Sequence, residues 1–184
     1  TKNGLAYCLT ITDKVKNYVS ISAYPSADDV FESEAPVISV SSLEIPSQVM
    51  NGKKTYTVTS IADLGFGYMS SIKVLVIPSS VKSIGEKSFI GCSEMTGIVF
   101  PPRDVHVADS AFEDCYYIED LSFGSHWKSI DLQPFSDTWV EFLYIPASVS
   151  EIKTLKAMDS LRSIVVDNNN RHFSSYGGLL YSFD

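Results

Sequence analysis

Covalent, metal or acid–base chemistry in this chain would have to come from a short set of residues. They are His106, His126 and His172, Cys8, Cys92 and Cys115, and the carboxylates at Asp28-Asp29-Val30-Phe31-Glu32-Ser33-Glu34, Glu113-Asp114 and Glu119-Asp120. A zinc site needs ligands at short, paired spacings. The three histidines show no such pairing and read as surface or turn residues. A thiol nucleophile needs a histidine beside it and an open cleft, and the spacing offers Cys92 and Cys115 neither. Paired carboxylates can do acid–base work or bind calcium. These acidic groups lack the glycine-turned ligand spacing and read as solvated charge. The expectation is therefore no catalytic residue, no cofactor and no metal.

What positions these residues is a repeat. Phe66, Phe89, Phe112 and Phe135 are each 23 residues from the next. Ile61, Ile84, Val107 and Ile130 keep the same step, and Ile152 follows after 22. Met69, Cys92, Cys115 and Thr138 fill a third position, and Ile72, Met95 and Ile118 a fourth. Each copy carries a short apolar segment: Leu75-Val76-Ile77-Pro78, Ile98-Val99-Phe100-Pro101, Leu121-Ser122-Phe123-Gly124, Leu143-Tyr144-Ile145-Pro146 and Ile164-Val165-Val166-Asp167. An earlier copy, Leu43-Glu44-Ile45-Pro46, is lengthened by an insertion around Met50 to Tyr56. So many positions in phase define a solenoid with a period of about 23 residues.

Within one copy, alternation sends Leu75 and Ile77 to one side and Val76 to the other. Pro78 lacks a donor and stops the ladder. Val81 and Ile84 bring the chain back to the core, and Gly85 suits a sharp bend. Ser88 to Cys92 fits a short helical turn that points Phe89, Cys92 and Met95 inward. One copy alone cannot bury these side chains, but stacked copies can. Two readings of Cys92 and Cys115 stay open. Neighbouring turns bring their Cα atoms within disulfide range, and a buried thiol ladder is equally consistent with cysteine as a small hydrophobe. Met69 and Thr138 in the same position favour the ladder.

The outward side of the strands carries Val74 and Val76, Gly97 and Val99, Asp120 and Ser122, Phe142 and Tyr144, Ser163 and Val165. An exposed strand face is normally polar, and an apolar track on one marks an interaction surface. Aromatics suit the centre of such a surface. The candidate partner-binding residues are Val74, Val76, Val99, Ser122, Phe142, Tyr144 and Val165. The competing reading is that β-propensity alone explains the valines, or that the N-terminal segment or a second copy of the chain covers the face.

Residues 77–95, Ile-Pro-Ser-Ser-Val-Lys-Ser-Ile-Gly-Glu-Lys-Ser-Phe-Ile-Gly-Cys-Ser-Glu-Met, resemble the BspA-type leucine-rich repeat almost slot for slot. Ser110-Ala111-Phe112-Glu113-Asp114-Cys115 keeps the aromatic–cysteine block. The segments 52–61 and 170–181 resemble the lead-in and the inter-repeat piece of that family. The resemblance covers residues 43–184, departing at Gly124 and in the copy that carries Leu155. It implies a strand-rich α/β fold, a right-handed leucine-rich-repeat solenoid. It also implies a secreted or cell-surface protein of host-associated bacteria or some protozoa, in adhesion to host, matrix or other surface proteins. Fold alone does not fix function. A structural spacer that displays another domain is the alternative, and a glycan hydrolase would need two carboxylates facing one cleft.

Residues 1–42 lack the period. Gly4 to Thr12 and Tyr18 to Ser22 alternate about a turn from Asp13 to Asn17, which reads as a β-hairpin. The organisation expected is an N-terminal β cap over 1–42 and the solenoid over 43–184. Such a cap covers the raw apolar end of the stack. Leu180-Tyr181-Ser182-Phe183 reads as the start of a further strand, so the solenoid is expected to run on. The 184 residues carry a net charge of −8 with 45% hydrophobic residues, ten Tyr and ten Phe. That balance disfavours nucleic acid and anionic membrane as partners. No apolar run is long enough for a transmembrane helix. There is neither an initiating Met nor a signal peptide; a secreted protein is expected to have lost one.

Overall fold

The computed structural model describes residues 8–14, 18–23, 41–155 and 158–183. The acidic stretch Asp28 to Glu34 lies outside the described residues. In chain order the strands are β1 (Cys8–Asp13), β2 (Tyr18–Ser22), β3 (Ser42–Glu44), β4 (Gln48–Asn51), β5 (Lys54–Ile61), β6 (Val74–Val76), β7 (Ser83–Ile84) and β8 (Gly97–Val99). They continue as β9 (His106–Val107), β10 (Asp120–Ser122), β11 (Ser129–Asp131), β12 (Phe142–Ile145), β13 (Glu151–Lys153), β14 (Ser163–Val166), β15 (Phe173–Tyr176) and β16 (Leu179–Ser182).

Two sets of parallel strands run along the stack. In the first, β3, β6 and β8 pair in register, and so do β10, β12 and β14. Leu43, Leu75 and Ile98 align in one row, and Leu121, Leu143 and Ile164 in the next. In the second, β2, β5, β7 and β9 align Ile21, Ile61, Ile84 and Val107, while β11 and β13 align Ile130 with Ile152. Parallel pairing at one period puts identical positions over one another, so each row is a column of inward aliphatic side chains, buried except for the half-buried Val107 and Ile152.

The third wall is a stack of turns. Phe66, Phe89, Phe112 and Phe135 are fully buried, with ring centroids 5.5, 5.4 and 5.1 Å apart and nearly parallel planes. Fully burying one such ring contributes about 1.5–3 kcal/mol, and each stacked pair about 0.5–1.5 kcal/mol more. Backbone bonds tie the turns rung to rung: the Phe66 N–H donates to the Ser88 carbonyl at 2.7 Å and the Phe89 N–H to the Ala111 carbonyl at 2.9 Å.

The helical turn expected at Ser88 to Cys92 is not formed. Leu64, Lys87 and Ser110 (φ 53, 51 and 56°), and Tyr68, Gly91 and Asp114 (φ 58, 67 and 60°), are left-handed on either side of the phenylalanines. Left-handed residues so close together break any helix. What remains is a chain of tight i to i−3 bonds, such as Cys92 N–H to the Phe89 carbonyl at 3.1 Å and Met95 N–H to the Cys92 carbonyl at 3.0 Å. Phe89, Cys92 and Met95 still point inward, all fully buried. The described residues are nearly without helix; a 3-10 turn spans Gln133–Phe135. No helix among them is long and apolar enough to cross a membrane.

At the N-terminal end, β1 and β2 form an antiparallel hairpin, and β2 adds in parallel to β5. The insertion around Met50 is a second hairpin, β4 with β5, turning at Gly52 with φ 62°. At the other end, β15 and β16 form a third hairpin, whose Gly178 carbonyl accepts from the Ile164 N–H at 2.9 Å.

Neither set of parallel strands is continuous. Both divide after the copy that ends in Pro101-Pro102, between β8 and β10 and between β9 and β11. Two prolines in succession remove two donors. Gly124 packs so close that a Cβ there would collide with the Pro101 carbonyl oxygen, so a close backbone approach requires glycine. The Trp127 indole nitrogen donates to that carbonyl at 3.0 Å. Phe100, Phe123, Trp127 and Phe135 then pack ring on ring across the gap. Aromatic packing here replaces ladder hydrogen bonds.

Candidate functional site

The alternation of the first set of strands fixes which side chains face outward. Val99 is 51% exposed, Phe142 51%, Tyr144 39% and Val165 54%. Ser122 is exposed as well, whereas Val74 and Val76 are half-buried. The register sets Phe142 between Asp120 and Ser163, and Tyr144 between Ser122 and Val165. Apolar exposure is therefore not one unbroken track. Asp120 and Ser122, at the gap in the ladder, divide Val99 from a cluster of Phe142, Tyr144 and Val165.

Tyr144 is held in place. Its hydroxyl donates to an Asp167 carboxylate oxygen at 2.9 Å, one rung away. That bond, with lesser contributions from burial and the Asp167 charge, raises the phenol above its ordinary pKa. Asp167 is held below the usual carboxylate range, chiefly by the Asn169 N–H and then by the Tyr144 hydroxyl. An anchored ring loses little entropy when a partner docks on it, which suits a binding surface.

The residues weighed for chemistry do not converge. Cys92 and Cys115 are buried free thiols, so the thiol ladder is the reading the structure bears out. The Cys92 Sγ donates to the Phe66 carbonyl at 3.3 Å and the Cys115 Sγ to the Phe89 carbonyl at 3.1 Å. The Cys92 thiol is raised well above its ordinary pKa, first by its hydrogen bond with Cys115 and then by burial. In the same position the Thr138 hydroxyl donates to the Phe135 carbonyl at 2.6 Å. His106, His126 and His172 lie apart, on β9, after β10 and before β15. Glu113 pairs with Lys87 at 3.2 Å.

Clefts open on the surface of the described residues. One of about 370 Å³ lies between β14 and the C-terminal hairpin, over Leu155, Leu161 and Leu180. A second, also about 370 Å³, marks the gap between β9 and β11 and collects Asp104, His106, Asp109, Asp131 and Lys153. Two of its carboxylates serve the backbone: Asp104 accepts from the Lys128 N–H at 2.7 Å and Asp131 from the Gln133 N–H at 3.0 Å. The third, about 400 Å³, lies where β10, β12 and β14 begin. Trp139, Glu119, Glu141, Asp159 and Arg162 line it. Beside it Trp139, Tyr116 and Tyr117 form an exposed aromatic group, with centroids 6.2 and 5.7 Å from the tryptophan ring.

Reading the repeat by shared residue types passed over this group. Its signal was in the sequence: four residues past each phenylalanine stand Ser70, Ser93, Tyr116 and Trp139. A turn position that changes from serine to large aromatics halfway along a regular array is a departure from the pattern.

No curated protein matches the chain. Among solved structures it is similar to the leucine-rich repeat protein of T. pallidum, with 23% identity and a TM-score of 0.61 over 87% of this chain and 67% of that one. It is similar to a leucine-rich repeat protein of Eubacterium ventriosum, with 21% identity and a TM-score of 0.64 over 96% of this chain and 46% of the other. It also resembles the pneumococcal vaccine antigen PcpA, with 22% identity and a TM-score of 0.62 over 97% and 52%. The chain spans about half the length of the last two. These likenesses show a shared fold, a right-handed leucine-rich-repeat solenoid. The BspA type leucine rich repeat region matches residues 38–161 in six copies, and with its stacked 23-residue rungs the chain belongs to that family.

Proposed function

We propose that this chain is a non-enzymatic binding module of a secreted or cell-surface bacterial protein, and that it captures a protein partner on the outward strand face. The observation that carries this reading is the cluster of Phe142, Tyr144 and Val165, three large apolar side chains exposed side by side on rigid strands. Exposed apolar clusters of this kind are characteristic of interaction sites, and aromatic anchors dominate their energetics. The family is one of repeat scaffolds, and no catalytic family is indicated. A surface location accords with the printed description of the pneumococcal neighbour as a vaccine antigen.

The test is a double substitution, Phe142→Ala with Tyr144→Ala, assayed for capture of immobilised host matrix proteins. The reading expects retained folding and lost capture. Capture at the level of the unsubstituted chain would overturn it.

A further inference from the structure

We propose that the cleft at the start of β10, β12 and β14 is a second binding site, for the Arg or Lys side chains of an extended basic segment of a protein partner. The aromatic platform comes first. Trp139 is 53% exposed, with Tyr117 set edge-on at 5.7 Å and Tyr116 tilted at 6.2 Å. Trp139 lines a cleft of about 400 Å³, and the two exposed tyrosines against its ring extend the aromatic surface beside the opening.

Charge selects what enters. The cleft sets three carboxylates, Glu119, Glu141 and Asp159, against one guanidinium, Arg162. Arg162 is paired with Glu141 at 3.2 Å, so among the described residues that line the cleft Glu119 and Asp159 are surplus negative charge beside the tryptophan. The tyrosine side is negative as well. The Tyr116 hydroxyl donates to Asp114. Its phenol is raised above its ordinary pKa by that bond first, then by burial and by the charges of Asp114, Asp137 and Glu113. An aromatic face within a negative field is a cation-binding arrangement. A neutral sugar ring would stack on Trp139 equally well but would leave the surplus carboxylates uncompensated.

The rungs behind the cleft are fixed. Glu119's carbonyl accepts from the N–H groups of Glu141 and Phe142 at 2.8 and 3.2 Å, and Glu141's from Arg162 and Ser163 at 2.9 and 3.0 Å. Glu119 and Glu141 therefore start from a fixed backbone edge on successive rungs, about 4.8 Å apart, and Arg162 holds the corresponding place on the next rung. This inference does not rest on the strand-face reading. It uses other residues and a charge-dependent contact, and either can fail alone.

The chain's two tryptophans supply the assay. Trp127 is buried, with its indole N–H bonded to Pro101, and serves as an internal reference for Trp139. The 15N-labelled protein is titrated with acetyl-(Gly-Arg)4-amide, and the two indole N–H resonances, assigned with Trp139→Phe, are followed. The site predicts a saturable shift of the Trp139 indole, a static Trp127 indole and weakening as salt rises. Trp139→Ala weakens binding roughly three- to tenfold, the range for one partly exposed cation–π contact. Glu119→Gln with Asp159→Asn weakens it also, whereas Phe142→Ala with Tyr144→Ala leaves it unchanged. Acetyl-(Gly-Ser)4-amide gives no shift. The proposal is overturned if the Arg peptide leaves the Trp139 indole unmoved, if its affinity is the same in Trp139→Ala with Trp127 still in its native position, or if cellohexaose or chitohexaose shifts the indole and the peptide does not.

Discussion

Phe112→Ala removes the ring at the middle of the phenylalanine column. Phe112 is fully buried and stacks on Phe89 at 5.4 Å and Phe135 at 5.1 Å. Truncating a buried phenylalanine costs about 3–5 kcal/mol, transfer and cavity together. The two stacked contacts account for about 0.5–1.5 kcal/mol each of that sum. On the Phe89 side the turns are tied by backbone bonds, from the Phe89 N–H to the Ala111 carbonyl and from the Gly91 N–H to the Glu113 carbonyl, so collapse from that side is limited and a loss of about 4 kcal/mol applies. At ~2–4 °C per kcal/mol for a chain of this size, Tm falls by roughly 8–16 °C. The assay is guanidinium unfolding followed both by far-UV circular dichroism and by tryptophan fluorescence. Coincident transitions license a two-state reading, which repeat proteins do not always satisfy. The double variant with Phe89→Ala should show coupling of about 0.5–1.5 kcal/mol from the lost stack. A loss under about 1 kcal/mol, below the usual range for a buried ring, would refute the claim that the column carries the stack. So would a loss equal to that of the half-exposed Phe142→Ala.

Three further outcomes follow from side chains the stack leaves in unusual settings. The Ser88 hydroxyl is buried with no hydrogen-bond partner among the described residues, and Gly65 and Ala111 occupy the same position one rung away; Ser88→Ala should therefore raise stability by about 1 kcal/mol by removing an unsatisfied group, measured by the same unfolding curves. Cys92 and Cys115 are fully buried and the Cys92 thiol is pushed up, so iodoacetamide at pH 8 should label neither in the native protein and both in guanidinium, read by mass spectrometry. Asp167 is depressed below the ordinary 3.8, so its contribution is present above the unfolded value and lost as pH falls through the lower folded one. A carbon-13 carboxyl titration should place its midpoint below 3.8, and Tyr144→Phe should raise it only part of the way, because the Asn169 N–H is the larger cause.

The period, the inward columns and the outward alternation were legible because they are matters of residue type at fixed spacing. Phe66, Phe89, Phe112 and Phe135 must stack once their copies do, and no other arrangement buries them all. The turn geometry was not legible in the same way. Leu64, Lys87 and Ser110 adopt left-handed φ although none is glycine, so composition gives no sign of it. The repeating backbone bonds to the next rung hold them there, and those exist only in the stacked state. Gly85 read as a residue for a bend, yet its φ is not left-handed. It is needed because a Cβ would collide with Asp63 on the preceding rung, a fact of rung spacing rather than local conformation.

The gap in the two ladders was half-legible. Gly124 was visible as a departure, but its effect depends on the Pro101-Pro102 pair it presses against, and on Trp127 filling the space. The exposed face was read as one track because alternation alone does not weigh polar interruptions. The register shows Asp120 and Ser122 standing beside Phe142 and Tyr144, which concentrates the apolar surface on the C-terminal rungs.

The central claim is that the outward strand face binds and the columns behind it only support it. Its most direct test sets Phe142→Ala with Tyr144→Ala against Phe112→Ala in one experiment, measuring capture of immobilised host matrix proteins alongside Tm. The account predicts that the surface pair loses capture with Tm nearly unchanged, while Phe112→Ala, below its lowered Tm, keeps it. Capture unaffected by the surface pair, or lost only in step with Tm, would contradict it.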